Sequence, residues 1–175
     1  MNIYEITQDN NFQFILHKEE NDFINNLVST EKELPMLNWQ APTWYLFNKT
    51  KKDLNKRLDF NASCFFSGTL ILEKNIAKHI VNCFNLKAQL LPIITPELEK
   101  EFVFLNIINS IPAIPNPKDS DKIGKFEFSK RYIGENIIFR DSFYLYQYFC
   151  TDKFIDYTIE NCILGLDFKK YGEAT

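Results

Sequence analysis

Apolar residues recur along this chain at two different spacings, and each change of spacing marks where a strand gives way to a helix. Residues 2–7 and 11–16 alternate well enough to predict two short strands, with Asp9-Asn10-Asn11 between them as a hairpin turn. A short helix is expected over 18–27, with Phe23, Ile24 and Leu27 on one side and Glu19, Glu20 and Asp22 in its first turn. Pro35 and Pro42 punctuate a loop that leads to a strand at 43–47.

The pattern is clearer from residue 64 onward. A β-branched and aliphatic run at 69–72 predicts a strand, and over 74–84 Ile76, Ala77, Ile80, Val81 and Phe84 form the stripe of a buried helix. Strands are expected at 89–94 and 102–108. Pro112, Pro115 and Pro117 then require loop or extended chain, because each ring removes a backbone donor. Further strands are predicted at 126–132, 137–140 and 143–149, joined by connections short enough for antiparallel pairing. Thr151 offers an N-cap hydroxyl to a helix whose inner face is Phe154, Ile155, Thr158, Ile159 and Cys162. A last strand is placed at 163–168. Strand, helix and strand thus follow one another at 69–94 and again at 144–168, although the residue identities match poorly.

The length of 175 residues sets the domain count at one, over 1–175, and the mixture of elements gives an α+β class with mainly antiparallel sheet and a few amphipathic helices. Hydrophobic residues make up 45% of the chain, with seventeen Phe and eight Tyr, enough apolar area to exclude a disordered tail. A net charge of -3 argues against nucleic acid as the main partner. The best basic patch, Lys49, Lys51, Lys52, Lys56 and Arg57, is interrupted by Asp53 and Asp59 and reads as a solvated face. Cys64, Cys83, Cys150 and Cys162 form no CxxC pair, and the start Met1-Asn2-Ile3-Tyr4-Glu5 lacks a secretory pattern. Buried free thiols and a cytoplasmic location are expected, with no membrane partner.

Candidate chemistry is sparse. The histidines, His17 and His79, are too few and too separated for a zinc site, so no metal and no cofactor is expected. A catalytic pair of His79 with Cys64 or Cys150 lacks any nucleophile signature around either cysteine. Glu97, Glu99 and Glu101 beside Lys100, and Asp119 and Asp121, read as solvated surface. Glycines at 68, 124, 134, 165 and 172 supply no phosphate loop. Arg140, at the end of the apolar run Ile137-Ile138-Phe139, suits a structural clamp held by a carboxylate or carbonyls. The expectation is a binding protein and not an enzyme.

Several ordered motifs carry a resemblance. They are Ser67-Gly68-Thr69-Leu70-Ile71-Leu72-Glu73-Lys74, Leu90-Leu91-Pro92-Ile93, Phe104-Leu105-Asn106-Ile107-Ile108 and Gly134-x-Asn136-Ile137-Ile138-Phe139-Arg140, followed by Thr151-Asp152-Lys153-Phe154 and Leu164-Gly165-Leu166-Asp167-Phe168. Their order resembles the large eleventh class of immunity proteins of bacterial polymorphic toxin systems. The likeness is carried by 63–170, while 1–62 adds no motif. Ile114-Pro115-Asn116-Pro117-Lys118-Asp119-Ser120 departs from the family, lacking an aspartate that many members carry there. The resemblance implies a cytosolic antidote that occludes a cognate toxin domain stoichiometrically. A non-toxin binding adaptor is the alternative, and an enzyme is the third class.

Overall fold

A computed structural model describes residues 1–17, 33–34, 36–47, 50–65, 69–115, 126–142 and 147–175. Its described strands are β1 (Asn2–Gln8), β2 (Ile15–His17), β3 (Trp44–Leu46), β4 (Ala62–Ser63), β5 (Ile71–Glu73), β6 (Ala88–Pro92), β7 (Phe102–Ile107), β8 (Ser110–Ile111), β9 (Ala113–Pro115), β10 (Phe126–Phe128), β11 (Ile138–Asp141), β12 (Tyr148–Thr151) and β13 (Leu166–Glu173). The described helices are α1 (Lys51–Leu54), α2 (Lys74–Cys83), α3 (Lys130–Ile133) and α4 (Asp152–Glu160), and a 3-10 turn covers Met36–Asn38. The class is α+β with antiparallel-rich sheets, as the hydrophobic pattern indicates.

One sheet has the order β13-β1-β12-β11-β8 and the other β4-β5-β7-β6. Every pairing in them is antiparallel except β8 with β11. The two strand-helix-strand units share a topology that residue identities do not reveal. β5 and β6, joined by α2, both run antiparallel to β7 lying between them. β12 and β13, joined by α4, both run antiparallel to β1 lying between them. Each unit is a β-α-β crossover split by one inserted strand.

Strand alternation divides the core. Val103, Leu105 and Ile107 of β7 face the largest apolar cluster, which also takes Ala77 and Ile80 from α2, Phe154 from α4, and Ile6, Ile138, Tyr148 and Cys150 from the five-stranded sheet. Phe102 and Phe104, on the opposite face of β7, pack with Phe12, Ile15 and Trp44 of the β2–β3 region. The five-stranded sheet repeats the arrangement: Ile3, Phe139 and Phe149 turn away to meet Phe128 and Ala113 of the β9–β10 ribbon. Each sheet therefore has a shared inner face and an outer face covered by a two-stranded ribbon. Sheets buried on both faces explain why so many Phe are needed, each stabilising by roughly 1.5–3 kcal/mol when fully buried.

Several sequence expectations need correction. β1 and β2 do not form a hairpin: the turn at Asp9 exists, with Asn11 N donating to Asp9 Oδ1 at 2.9 Å, but it hands Phe12 and Ile15 to another apolar cluster. β2 pairs instead with β3. The strand expected over 126–132 stops at Phe128, because Tyr132 N and Ile133 N both donate to Ser129 O and wind the turn α3. β10 pairs with β9, leaving the 137–149 meander. Thr151 is the N-cap residue of α4, yet its side chain makes no capping bond and its Oγ is buried without a hydrogen-bond partner. On that helix Ile159 is 70% exposed and Cys162, just past its end, is exposed, so the inner face is Phe154 and Thr158 with Ile155 partly covered. The last strand runs later than expected, to Glu173, because it pairs along the whole of β1. The helix expected at 18–27 and part of the strand at 143–149 lie outside the described residues.

Candidate docking face

The segment before β3 lies along the outer edge of β6. Leu34 exchanges hydrogen bonds with the Gln89 side chain, Trp39 Nε1 donates to Pro92 O at 2.9 Å, and Trp44 N donates to Ile94 O at 2.8 Å. These bonds cover a sheet edge that would otherwise be open to another chain. They also hold apolar side chains outward, with Leu37 fully exposed and Ile94 49% exposed.

Two shallow clefts flank the loop 95–101 beside this edge. One, of about 400 Å³, is lined by Ala41, Pro92, Ile94, Leu98, Lys100 and Glu101 among others. The second, of about 410 Å³, lies between Leu58, Asp59 and Phe60 on one side and Glu97, Leu98, Glu99 and Lys100 on the other. Leu98 and Phe102 are common to both, so the clefts share an apolar floor. Around it stand four carboxylates, Asp59, Glu97, Glu99 and Glu101, against two lysines, Lys74 and Lys100. The rim is ordered: Glu97 Oε2 accepts from Leu46 N at 2.7 Å, Lys74 meets Glu101 at 2.5 Å, and Lys100 meets Glu73 at 2.9 Å. Lys74 beside it holds the Glu101 carboxyl below the usual carboxylate range. Asp59 and Glu101 are paired within the protein, with Arg57 and Lys74, so Glu97 and Glu99 carry the acidic excess beside the apolar floor, which suits a protein surface with exposed basic side chains.

No protein-family model and no curated protein matches this chain.

Arg140 is buried, and its hydrogen bonds reach both sheets. Its Nη2 donates to Asn106 Oδ1 of β7 at 2.6 Å and to the Tyr148 hydroxyl at 2.5 Å. That hydroxyl in turn donates to Leu105 O at 3.1 Å, and Asn106 Nδ2 donates to Gln89 Oε1 at 3.1 Å. The network thus runs from β11 through β7 to β6 and on to Leu34, behind the docking face. Burial pushes the Tyr148 phenol up, with Arg140 opposing the shift.

The other sequence candidates separate. His17 is buried against Trp44, with ring centroids 5.4 Å apart. Cys64 and Cys150 lie in the core, where burial pushes the Cys64 thiol up to about 12 and the Cys150 thiol well above its ordinary value. Neither is the partner of His79. The structure instead brings His79 Nε2 within 3.2 Å of Cys83 Sγ, one turn along α2, and His79 Nδ1 against the Tyr157 hydroxyl of α4. Cys83 and Cys162 are both exposed, which corrects the expectation that all four thiols are buried. The i, i+4 spacing of His79 and Cys83 was the available signal for their contact. Tyr157, seventy-four or more residues from either, gave none.

In the basic patch, Lys56 pairs with Asp53 at 3.3 Å, Arg57 pairs with Asp59 at 2.5 Å, and the Arg57 guanidinium lies 4.5 Å from the Phe12 ring centroid. These local pairings spend much of its charge within the protein. Asp119 and Asp121 lie outside the described residues. Among the described residues, no three His, Cys, Asp or Glu side chains converge as a metal site. Among them, too, no helix is long and apolar enough to cross a membrane.

Proposed function

We propose that this protein is a cytoplasmic immunity protein that neutralises a cognate toxin domain by covering it, with the cleft-bearing face around Leu37, Leu58, Ile94 and Leu98 as the contact surface. The observation that carries the reading is that apolar floor ringed by Asp59, Glu97, Glu99 and Glu101. Supporting it, the ordered motifs of the C-terminal two thirds resemble an immunity family. Arg140 and the Leu164-Gly165-Leu166 motif sit where the two sheets are tied together. The partner surface would be basic, and occlusion needs no bond to be made or broken.

The test begins with the neighbouring open reading frame: a variable C-terminal domain found there is co-expressed with this protein, and the purified pair is titrated. Wild type is expected to restore growth and to bind one to one. Leu58→Ala with Ile94→Ala removes one exposed apolar anchor from each cleft without touching the core. Each anchor lost weakens binding by roughly 30-fold, and both together by up to about 1,000-fold, since hot-spot side chains contribute about 2 kcal/mol each. Killing that continues despite soluble, folded wild-type protein would reject the pairing. Full rescue by the double variant would reject this face.

A further inference from the structure

On the surface where α2 meets α4, three side chains form a cluster with no part in the docking face. Cys83 and His79 lie four residues apart on α2, which places them on one side of the helix, and Cys83 Sγ is 3.2 Å from His79 Nε2. The far side of the imidazole contacts the Tyr157 hydroxyl of α4, and the Tyr157 ring is itself set by an edge contact with Phe84, centroids 5.1 Å apart. A thiol, a nitrogen base beside it, and a third group holding the base are the parts of an activated nucleophile. Cys83 and His79 are exposed, so the thiol is open to a small reagent in solution.

We propose that Cys83 is a modification site for low-molecular-weight disulfides, with His79 as its base and Tyr157 as a positioning residue. Nδ1–H donates to the phenol oxygen, leaving Nε2 to accept the Cys83 proton. The thiolate attacks one sulfur of the incoming disulfide, and a new S–S bond forms as the reagent's own S–S bond breaks. The bonding pair departs on the second sulfur, which takes the proton from the imidazolium and leaves as a free thiol. The protein sulfur is oxidised to a mixed disulfide while half of the reagent is reduced, so no other oxidant enters.

The chain holds its own controls. Cys162 is also exposed but, among the described residues, has no histidine within hydrogen-bond distance, while Cys64 and Cys150 are buried. The folded, full chain is incubated with glutathione disulfide, and each cysteine is followed by peptide mass spectrometry. Cys83 is expected to acquire a glutathionyl group about tenfold faster than Cys162, and the buried pair to react only on unfolding. His79→Gln and Tyr157→Phe slow labelling at Cys83 without altering Cys162. Free imidazole restores part of the lost rate in His79→Gln, which a change in packing alone would not permit, and in Tyr157→Phe the pH profile of labelling shifts at Cys83 but not at Cys162. Equal rates at Cys83 and Cys162 in the wild type would overturn the proposal, as would undiminished Cys83 labelling in His79→Gln.

Discussion

Replacing Gly165 with alanine tests how the two sheets are joined. At this position φ is +109°, and an added Cβ would lie 2.0 Å from Ala62 O, 3.1 Å from Ala62 C and 3.2 Å from Phe60 Cβ. None of these atoms is the end of a flexible side chain, so relief requires strand β4 to retreat from the 164–166 turn by well over an ångström. That retreat breaks the bonds made there: Asn61 N and Ala62 N to Leu164 O, at 3.1 and 3.0 Å, and Leu164 N to Asn61 Oδ1 at 2.7 Å. Asp9 N, which donates to Gly165 O at 3.0 Å, shifts with them. The unfavourable φ and two or three weakened hydrogen bonds together amount to a loss of about 3–5 kcal/mol. Urea unfolding, monitored by circular dichroism, measures it as a lower midpoint with unchanged slope. Gly172→Ala, where the added methyl meets nothing within 4 Å, is the matched control and is expected within about 0.5 kcal/mol of wild type. A Gly165→Ala variant as stable as that control would refute the close approach.

The buried network and the acid limb of stability give further tests. Tyr148→Phe removes the hydroxyl that accepts from Arg140 and donates to Leu105 O, so chemical denaturation should show a loss of about 2–3 kcal/mol. A loss under about 0.5 kcal/mol would show that the hydroxyl is dispensable. Asp152 opens α4 and accepts bonds from the Asn2 backbone and side chain and from Tyr4. Burial works to raise its carboxyl, but those hydrogen bonds outweigh it and leave the folded value below the ordinary one. Its stabilisation is therefore complete above the unfolded value of about 3.9 and is lost as pH falls through the lower folded value. Denaturation midpoints measured from neutral into acid should fall less steeply for Asp152→Asn than for wild type, and parallel curves would remove the carboxylate from the account.

The elements that sequence made legible are those whose whole environment is local. The stripe Ile76, Ala77, Ile80 locates α2 because a helix shows its buried face within a dozen residues, and Phe102 to Ile107 declares a strand because both of its faces are buried. Pairing was less accessible. The alternation in residues 2–7 says that a strand exists, but its neighbours are residues 149–151 and 166–173, and only assembly selects them over the nearer 11–16. Thr151 looked like a cap because threonine in that position usually is one; here Asp152 bonds across to Asn2 and the threonine hydroxyl is enclosed in the core. Arg140 was singled out from its apolar run, whereas its partners Asn106 and Tyr148 became visible only in three dimensions. The candidate docking face was hidden for the same reason, since Leu58 comes from the α1–β4 connection while Ile94 and Leu98 come from the β6–β7 connection.

The central place of β1 has a consequence for how the polypeptide acquires its shape. Its partners on both sides, residues 149–151 and 166–173, are made long after it, so β1 must wait without them while the intervening segments are synthesised. The four-stranded sheet, whose members fall between residues 62 and 107, can close much sooner. Assembly then finishes when β1 takes its place between β12 and β13, and loss of β13 would leave β1 as an open edge paired with β12 alone.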